Sequence, residues 1–158
     1  MRFWFDTEFH ENGTTIDLIS IGVVCEDGSE FYAEVEGFDF SKTDPWLIEN
    51  VEPYLTGETM GREEIAESLL QFVLSKTNEP SFWAYYADYD WVVLCQLYGR
   101  MIDLPKGFPK YCNDLKQELV RLCIDKVPVE NETEHNALAD AKWARDVHLW
   151  LERKFFII

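Results

Sequence analysis

The chain has 158 residues, 47% hydrophobic and 15% aromatic, enough apolar side chain for one domain with a substantial core, which argues against disorder. A formal net charge of −16 argues against electrostatic capture of nucleic acid by the surface as a whole, and no apolar run is long enough to span a membrane. The start MRFWFDTE is interrupted at once by carboxylates and has no signal-peptide pattern. Cys25, Cys95, Cys112 and Cys123 form no CxxC pair and sit in apolar contexts, which reads as buried reduced thiols in a cytoplasmic protein.

In chain order, residues 2–8 predict a first strand. IDLISIGVVCEDG runs apolar to a turn at Glu26–Ser29, and EFYAEV returns with alternation, so the two make a hairpin. A loop with Pro45 and Pro53 follows, with a short helix at WLIENV. Residues 62–76 place Ile65, Leu69, Phe72 and Val73 on one face, an amphipathic helix. SFWAYYA reads as a short buried strand, and from Asp88 the pattern turns helical, with Asp90, Val93, Leu94 and Leu97 on one stripe. Lys110–Cys112 is a candidate fifth strand before a helix at 113–123. The last helix runs from near Asn136 to about Lys154, with Ala137, Ala141 and Ala144 permitting close packing on a sheet. No repeat, low-complexity tract or linker divides the chain, so residues 1–158 read as a single domain. A meander followed by alternating helices and strands suits an α/β fold, a mixed sheet flanked by helices.

Charge is uneven along the chain. Residues 1–60 are strongly acidic, with only Arg2 and Lys42 as bases, whereas 100–126 carry Arg100, Lys106, Lys110, Lys116, Arg121 and Lys126. A polyanion could lie on that segment; solvated loop and helix faces would give the same pattern.

Three elements carry chemistry. In FDTEF, the period of two puts Asp6 and Glu8 on one face of a strand, where like charges lose hydration and need a cation or a proton. Taken alone, the pair also reads as an exposed strand end. In YYADYDWVVLCQL, Asp90 shares the inward stripe and Asp88 is the better N-cap candidate, so Asp90 is assigned to the site. In HNALADAKW, five helical residues turn through about 500°, so His135 and Asp140 cannot share a helix face. His135 therefore precedes the helix and Asp140 projects from its first turns, an arrangement suited to a mobile base and a fixed metal ligand. With Asn136 as N-cap, His135 also reads as a plain loop residue.

The order DxE, then Asp in a YDxxxL setting, then HxxxxD resembles the DEDDh branch of the DEDD exonuclease superfamily. FDTEF, TIDLISIGVV, EDGSEFYA, ADYDWVVLCQLYG and HNALADA look most like the polyadenylate-preferring bacterial 3′-exoribonucleases related to RNase T, and the likeness runs through nearly the whole chain. The resemblance implies an RNase H-like fold, a homodimer and two magnesium ions per site, with manganese able to substitute. Asp6, Glu8, Asp90 and Asp140 would be the metal ligands and His135 the general base. Thr7 and Phe9 lie where such enzymes contact the terminal nucleotide, and Phe9 and Trp91 are candidates for stacking on a base, with core packing the competing reading. Many members carry Asn four residues before the second-motif Asp, where this chain has Tyr86. The expected activity is removal of nucleoside 5′-monophosphates from the 3′ end of single-stranded RNA, possibly poly(A). A DNA-directed 3′-5′ exonuclease and a catalytically silent binding or dimerisation domain are the alternatives; the intact set of four acids and one histidine argues against the second.

Overall fold

A computed structural model describes residues 1–131 and 133–155. The elements are β1 (Arg2–Glu11), β2 (Ile16–Cys25), β3 (Glu30–Val35), α1 (Pro45–Asn50), β4 (Thr59–Met60), α2 (Arg62–Leu74), β5 (Ser81–Ala84), α3 (Ala87–Gln96), β6 (Asn113–Asp114), α4 (Leu115–Arg121) and α5 (Ala137–Phe155). They build one six-stranded sheet in the order β4-β3-β2-β1-β5-β6. β1–β2 and β2–β3 are antiparallel, while β3–β4, β1–β5 and β5–β6 are parallel.

Alternation along β1 sorts the core into two layers. Phe3 and Phe5 point to one side, with Ile21, Val23 and Cys25 of β2, and meet Ile65, Leu69 and Val73 of α2 and Val93 and Leu94 of α3. Trp4 points to the other side and meets Leu115 and Leu119 of α4 and Ala144, Val147 and Leu151 of α5. Helices thus cover both faces, and the acidic residues of β1 share the α5 face with Trp4.

Three sequence expectations are corrected. Pairing with β5 begins at Asn113–Asp114 rather than at Lys110–Cys112 (Trp83↔Asn113, Ala84↔Asp114). Lys110 and Tyr111 are exposed. Asp114 then caps α4 by accepting the Lys116 N–H at 2.7 Å, so the helix starts at Leu115 rather than at residue 113. The cysteines are all free, but only Cys25 and Cys95 are buried; Cys112 is half-buried and Cys123 is exposed. Cys123 lies in a left-handed turn after α4 (φ 54°), its thiol outside the apolar cluster that Leu122 and Ile124 on either side pack against. β4 was not anticipated: two residues beside β3 are too few to show a period. Among the described residues no helix is long and apolar enough to cross a membrane.

Candidate active site

Asp6 pairs across the β1–β2 ladder with Gly22. A β-carbon on Gly22 would overlap the backbone of Ala137 and Leu138, so the missing side chain is what lets the start of α5 rest directly on the sheet. Ala137 is fully buried at this contact. One turn later α5 presents Asp140, and carboxylate oxygens of Asp6, Glu8 and Asp140 come within 4.8 Å of one another. The acids on one face of β1 thus meet the third because a glycine and an alanine stripe bring the helix close.

Asp140 is held by its own approach segment. Its Oδ2 accepts the His135 backbone N–H at 2.9 Å and its Oδ1 accepts the Asn131 side-chain amide. Asn136 caps α5, its Oδ1 accepting the Ala139 N–H at 3.0 Å. His135 sits before the helix in a left-handed conformation (φ 68°), its ring edge-on to Trp46 with centroids 4.8 Å apart. The Asn136 amide also donates to the Tyr54 carbonyl at 3.2 Å, tying this turn to the segment after α1. Trp46, Tyr54 and Asn131 were not found from sequence; these contacts are long-range or non-periodic, and no local pattern announces them.

Asp90 arrives from the opposite face. The parallel β1–β5 pairing ends at Trp4↔Trp83, and the chain turns through Tyr86 (φ 58°) into α3. From its first turn Asp90 Oδ1 accepts the Thr7 N–H at 2.9 Å and the Thr7 hydroxyl at 2.6 Å. Asp88 is exposed and is not the N-cap: Tyr86 holds that position with no capping side chain, and the Ala87 N–H goes to Asp114 Oδ2 at 3.3 Å. Tyr86 occupies a left-handed conformation that Asn adopts more readily than Tyr.

All four carboxyls are pushed above the usual carboxylate range. Burial raises Asp6 most, with the charges of Asp90, Glu8 and Asp140 adding to it. Burial, then Asp140 and Asp90, raises Glu8 to about 8. Asp90 is raised by burial to about 6, against the two Thr7 hydrogen bonds that favour its anion. Burial raises Asp140, opposed by Asn131 and the His135 N–H. Among the described residues no lysine or arginine forms an ion pair with any of the four. An all-oxygen donor set, crowded and without a protein cation, fits a hard divalent ion such as magnesium. Beside it opens a cleft of about 400 Å³ lined by Asp6, Tyr85, Tyr86, His135, Asp140 and Trp143, together with Asn131 and Glu134.

The candidate substrate contacts separate in space. Thr7 is buried and spends its hydroxyl on Asp90. Trp91 packs edge-on to Phe5 and tilted against Phe82, in the core between the sheet and α3. The structure thus commits the Thr7 hydroxyl to a neighbouring carboxylate, while Trp91 is half-buried, packed on the core on one side and lining a surface hollow on the other. Phe9 stacks on Tyr89 of α3, rings 5.8 Å apart and 11° from parallel, and remains half-exposed.

Residues 1–150 match the family described as the 3′-5′ exoribonuclease Rv2179c-like domain. The chain belongs to this family. Two relatives from Mycobacterium tuberculosis are "3′-5′ exoribonuclease Rv2179c" (strain ATCC 25618 / H37Rv) and "3′-5′ exoribonuclease MT2234.1" (strain CDC 1551 / Oshkosh). Each is 38% identical over 147 residues, covering 90% of this chain and 88% of the relative. In three dimensions the chain resembles S. pombe Pop2p in a form with bound Mg2+ and Mn2+. The TM-score is 0.70 at 16% identity, over 98% of this chain and 84% of that one. That likeness shows the fold, the mixed sheet with helices on both faces expected of an RNase H-like domain.

Proposed function

We propose that this chain is a metal-dependent 3′-5′ exoribonuclease that shortens single-stranded RNA from its 3′ end, releasing one nucleoside 5′-monophosphate at a time and favouring adenylate. The observation that carries the reading is the convergence of Asp6, Glu8 and Asp140, the first and last of which line one cleft with His135, in a member of an exoribonuclease family. Asp6, Glu8, Asp90 and Asp140 would hold the ions; two divalent cations, Mg2+ or in its place Mn2+, would balance four carboxylates in formal charge. Bound there, such ions would lower the pKa of a water and offset charge on the phosphate.

The chain's own residues do the rest. Thr7 fixes Asp90 through two hydrogen bonds, so this ligand arrives already oriented. Asn131 and the His135 backbone N–H fix Asp140 in the same way. The His135 imidazole takes the proton of the attacking water as its oxygen bonds to phosphorus and the bond from phosphorus to the preceding 3′-oxygen breaks. The half-exposed Phe9–Tyr89 pair offers a flat platform for a terminal base. Adenylate preference and a homodimeric state rest on the resemblance of FDTEF, ADYDWVVLCQLYG and HNALADA to the polyadenylate-preferring enzymes.

Competing oligo(A), oligo(U), oligo(C) and oligo(dA) of equal length in one reaction tests the substrate. Oligo(A) should disappear first and oligo(dA) should persist. Equal decay of oligo(A) and oligo(C) would remove the adenylate preference, and faster loss of oligo(dA) would make the enzyme DNA-directed.

A further inference from the structure

The basic stretch at 100–126 has no part in the chemistry above, yet the fold brings Lys116 to the edge of the cleft and Lys110 to a neighbouring hollow. Tyr86 lines that cleft and is 62% exposed, and Lys116 Nζ lies 5.8 Å from the centre of its ring. One residue beyond Tyr86, at Ala87 and Asp88, a second hollow of about 270 Å³ begins, lined also by Trp91, Lys110, Tyr111 and Gln117. Tyr111 is 65% exposed there and Lys110 is exposed beside it. Of the two acids on this rim, Asp114 is committed to capping α4 and to the Ala87 N–H, and Asp88 faces solvent. In a chain of net charge −16, exposed tyrosines interleaved with lysines beside an acidic cleft are an outlier. Flat rings suit unpaired bases and ammonium groups suit phosphates, a pairing sequence-tolerant enough for any single strand.

We propose that the Tyr86–Lys116 step and the Lys110–Tyr111 hollow form the subsite for the nucleotides lying 5′ of the dinucleotide that spans the scissile bond. The strand leaves the cleft across Tyr86, Lys116 and Lys110 contact its phosphates, and Tyr111 stacks on a base. This rests on the exoribonuclease reading and adds to it where the uncleaved part of the RNA lies.

The experiment compares the dinucleotide ApA with octaadenylate for the wild type, Tyr111→Ala, Tyr111→Phe and the double variant Lys110→Gln/Lys116→Gln. Tyr111→Ala and the lysine double should each raise KM for octaadenylate about tenfold, the scale of one lost stacking or phosphate contact, and leave ApA turnover unchanged. Tyr111→Phe should restore the wild-type KM. The salt dependence of octaadenylate affinity should become shallower by about 0.7 per lysine removed. Unchanged KM for octaadenylate in both variants, or equal losses on ApA and octaadenylate, would overturn the subsite. The exoribonuclease reading fails separately, by the wild type shortening no RNA at all. In that event anisotropy of fluorescein-labelled octaadenylate on the same proteins decides the subsite, weaker binding by both variants supporting it and unchanged binding overturning it.

Discussion

Thr7 sits between the two acids that drew attention to FDTEF, and its position between them is what gives it a role. Its side chain points away from Asp6 and Glu8, toward α3, where its hydroxyl and N–H both engage Asp90. Thr7→Val keeps the shape and the backbone bond but removes a hydroxyl donor to a charged acceptor, worth about 1.5–3 kcal/mol. We expect the folded protein to need more magnesium for half-maximal activity, because Asp90 loses the bond that orients it and favours its anion. A magnesium activation curve superimposable on the wild type would leave Thr7 without this role. At this scale much of the arrangement was legible. Period two placed Asp6 and Glu8 together, and the inward stripe separated Asp90 from Asp88. The hydroxyl's partner was not legible, because it lies 83 residues away and no local period encodes it.

At the scale of elements, α5 positions the site through one close contact. Gly22→Ala would put a methyl into the backbone of Ala137 and Leu138. The helix start must then lift from the sheet, at a cost of about 1–3 kcal/mol or more. Asp140 should withdraw from Asp6 and Glu8, so thermal melting should fall and magnesium should stabilise the variant less than the wild type. A variant that melts like the wild type and responds fully to magnesium would contradict this placement. The alanine stripe of α5 was readable as a helix that packs closely; the glycine inside SIGVVC was the complementary signal, an isolated Gly in a strand pattern.

The other end of α5 carries an acid-sensitive joint. His148 is buried, and its Nδ1 accepts the Trp4 indole N–H at 3.0 Å, so the ring is held neutral. Burial, above all, lowers its pKa to about 4. The unfolded chain, with the ordinary value near 6.5, binds the extra proton first. The contribution of His148 is therefore complete above about pH 6.5 and is lost as pH falls toward 4, on the order of 3 kcal/mol. Protonation also sets two N–H donors against each other at Trp4. With magnesium saturating, His148→Gln should be less stable at neutral pH but lose less on going from pH 6.5 to 4.5, read by urea denaturation. An unchanged acid loss would show that the joint is not the sensor.

Across the whole molecule, a chain of net charge −16 gathers Asp6, Glu8 and Asp140 in one place, with Asp90 near enough for its charge to raise Asp6 and Glu8, and with no basic partner among the described residues. Without divalent ions that place opposes the fold. Glu8 titrates near 8 when folded and near its ordinary value of 4.5 when unfolded, so the native state holds the extra proton between those limits. Its raised pKa therefore favours folding at low pH and loses that advantage as pH rises to about 8. In chelator, melting temperature should fall from pH 6.5 to 8, a window above the His148 transition. Glu8→Gln should flatten this fall, and magnesium should restore the wild type by binding the native state. A chelated protein whose stability does not change over this window would mean the carboxyls are solvated.

The central claim is that these carboxylates are the working centre of a 3′-5′ exoribonuclease. The most direct test incubates 5′-labelled oligo(A) with the wild type in magnesium, in chelator, and with Asp6→Asn, Glu8→Gln, Asp90→Asn and Asp140→Asn in magnesium. The wild type should give a ladder shortening one nucleotide at a time with release of AMP. Chelator and each substitution should suppress it by about a hundredfold or more while the fold is retained. A ladder undiminished by chelator or by these substitutions, or internal fragments in place of a ladder, would contradict the account.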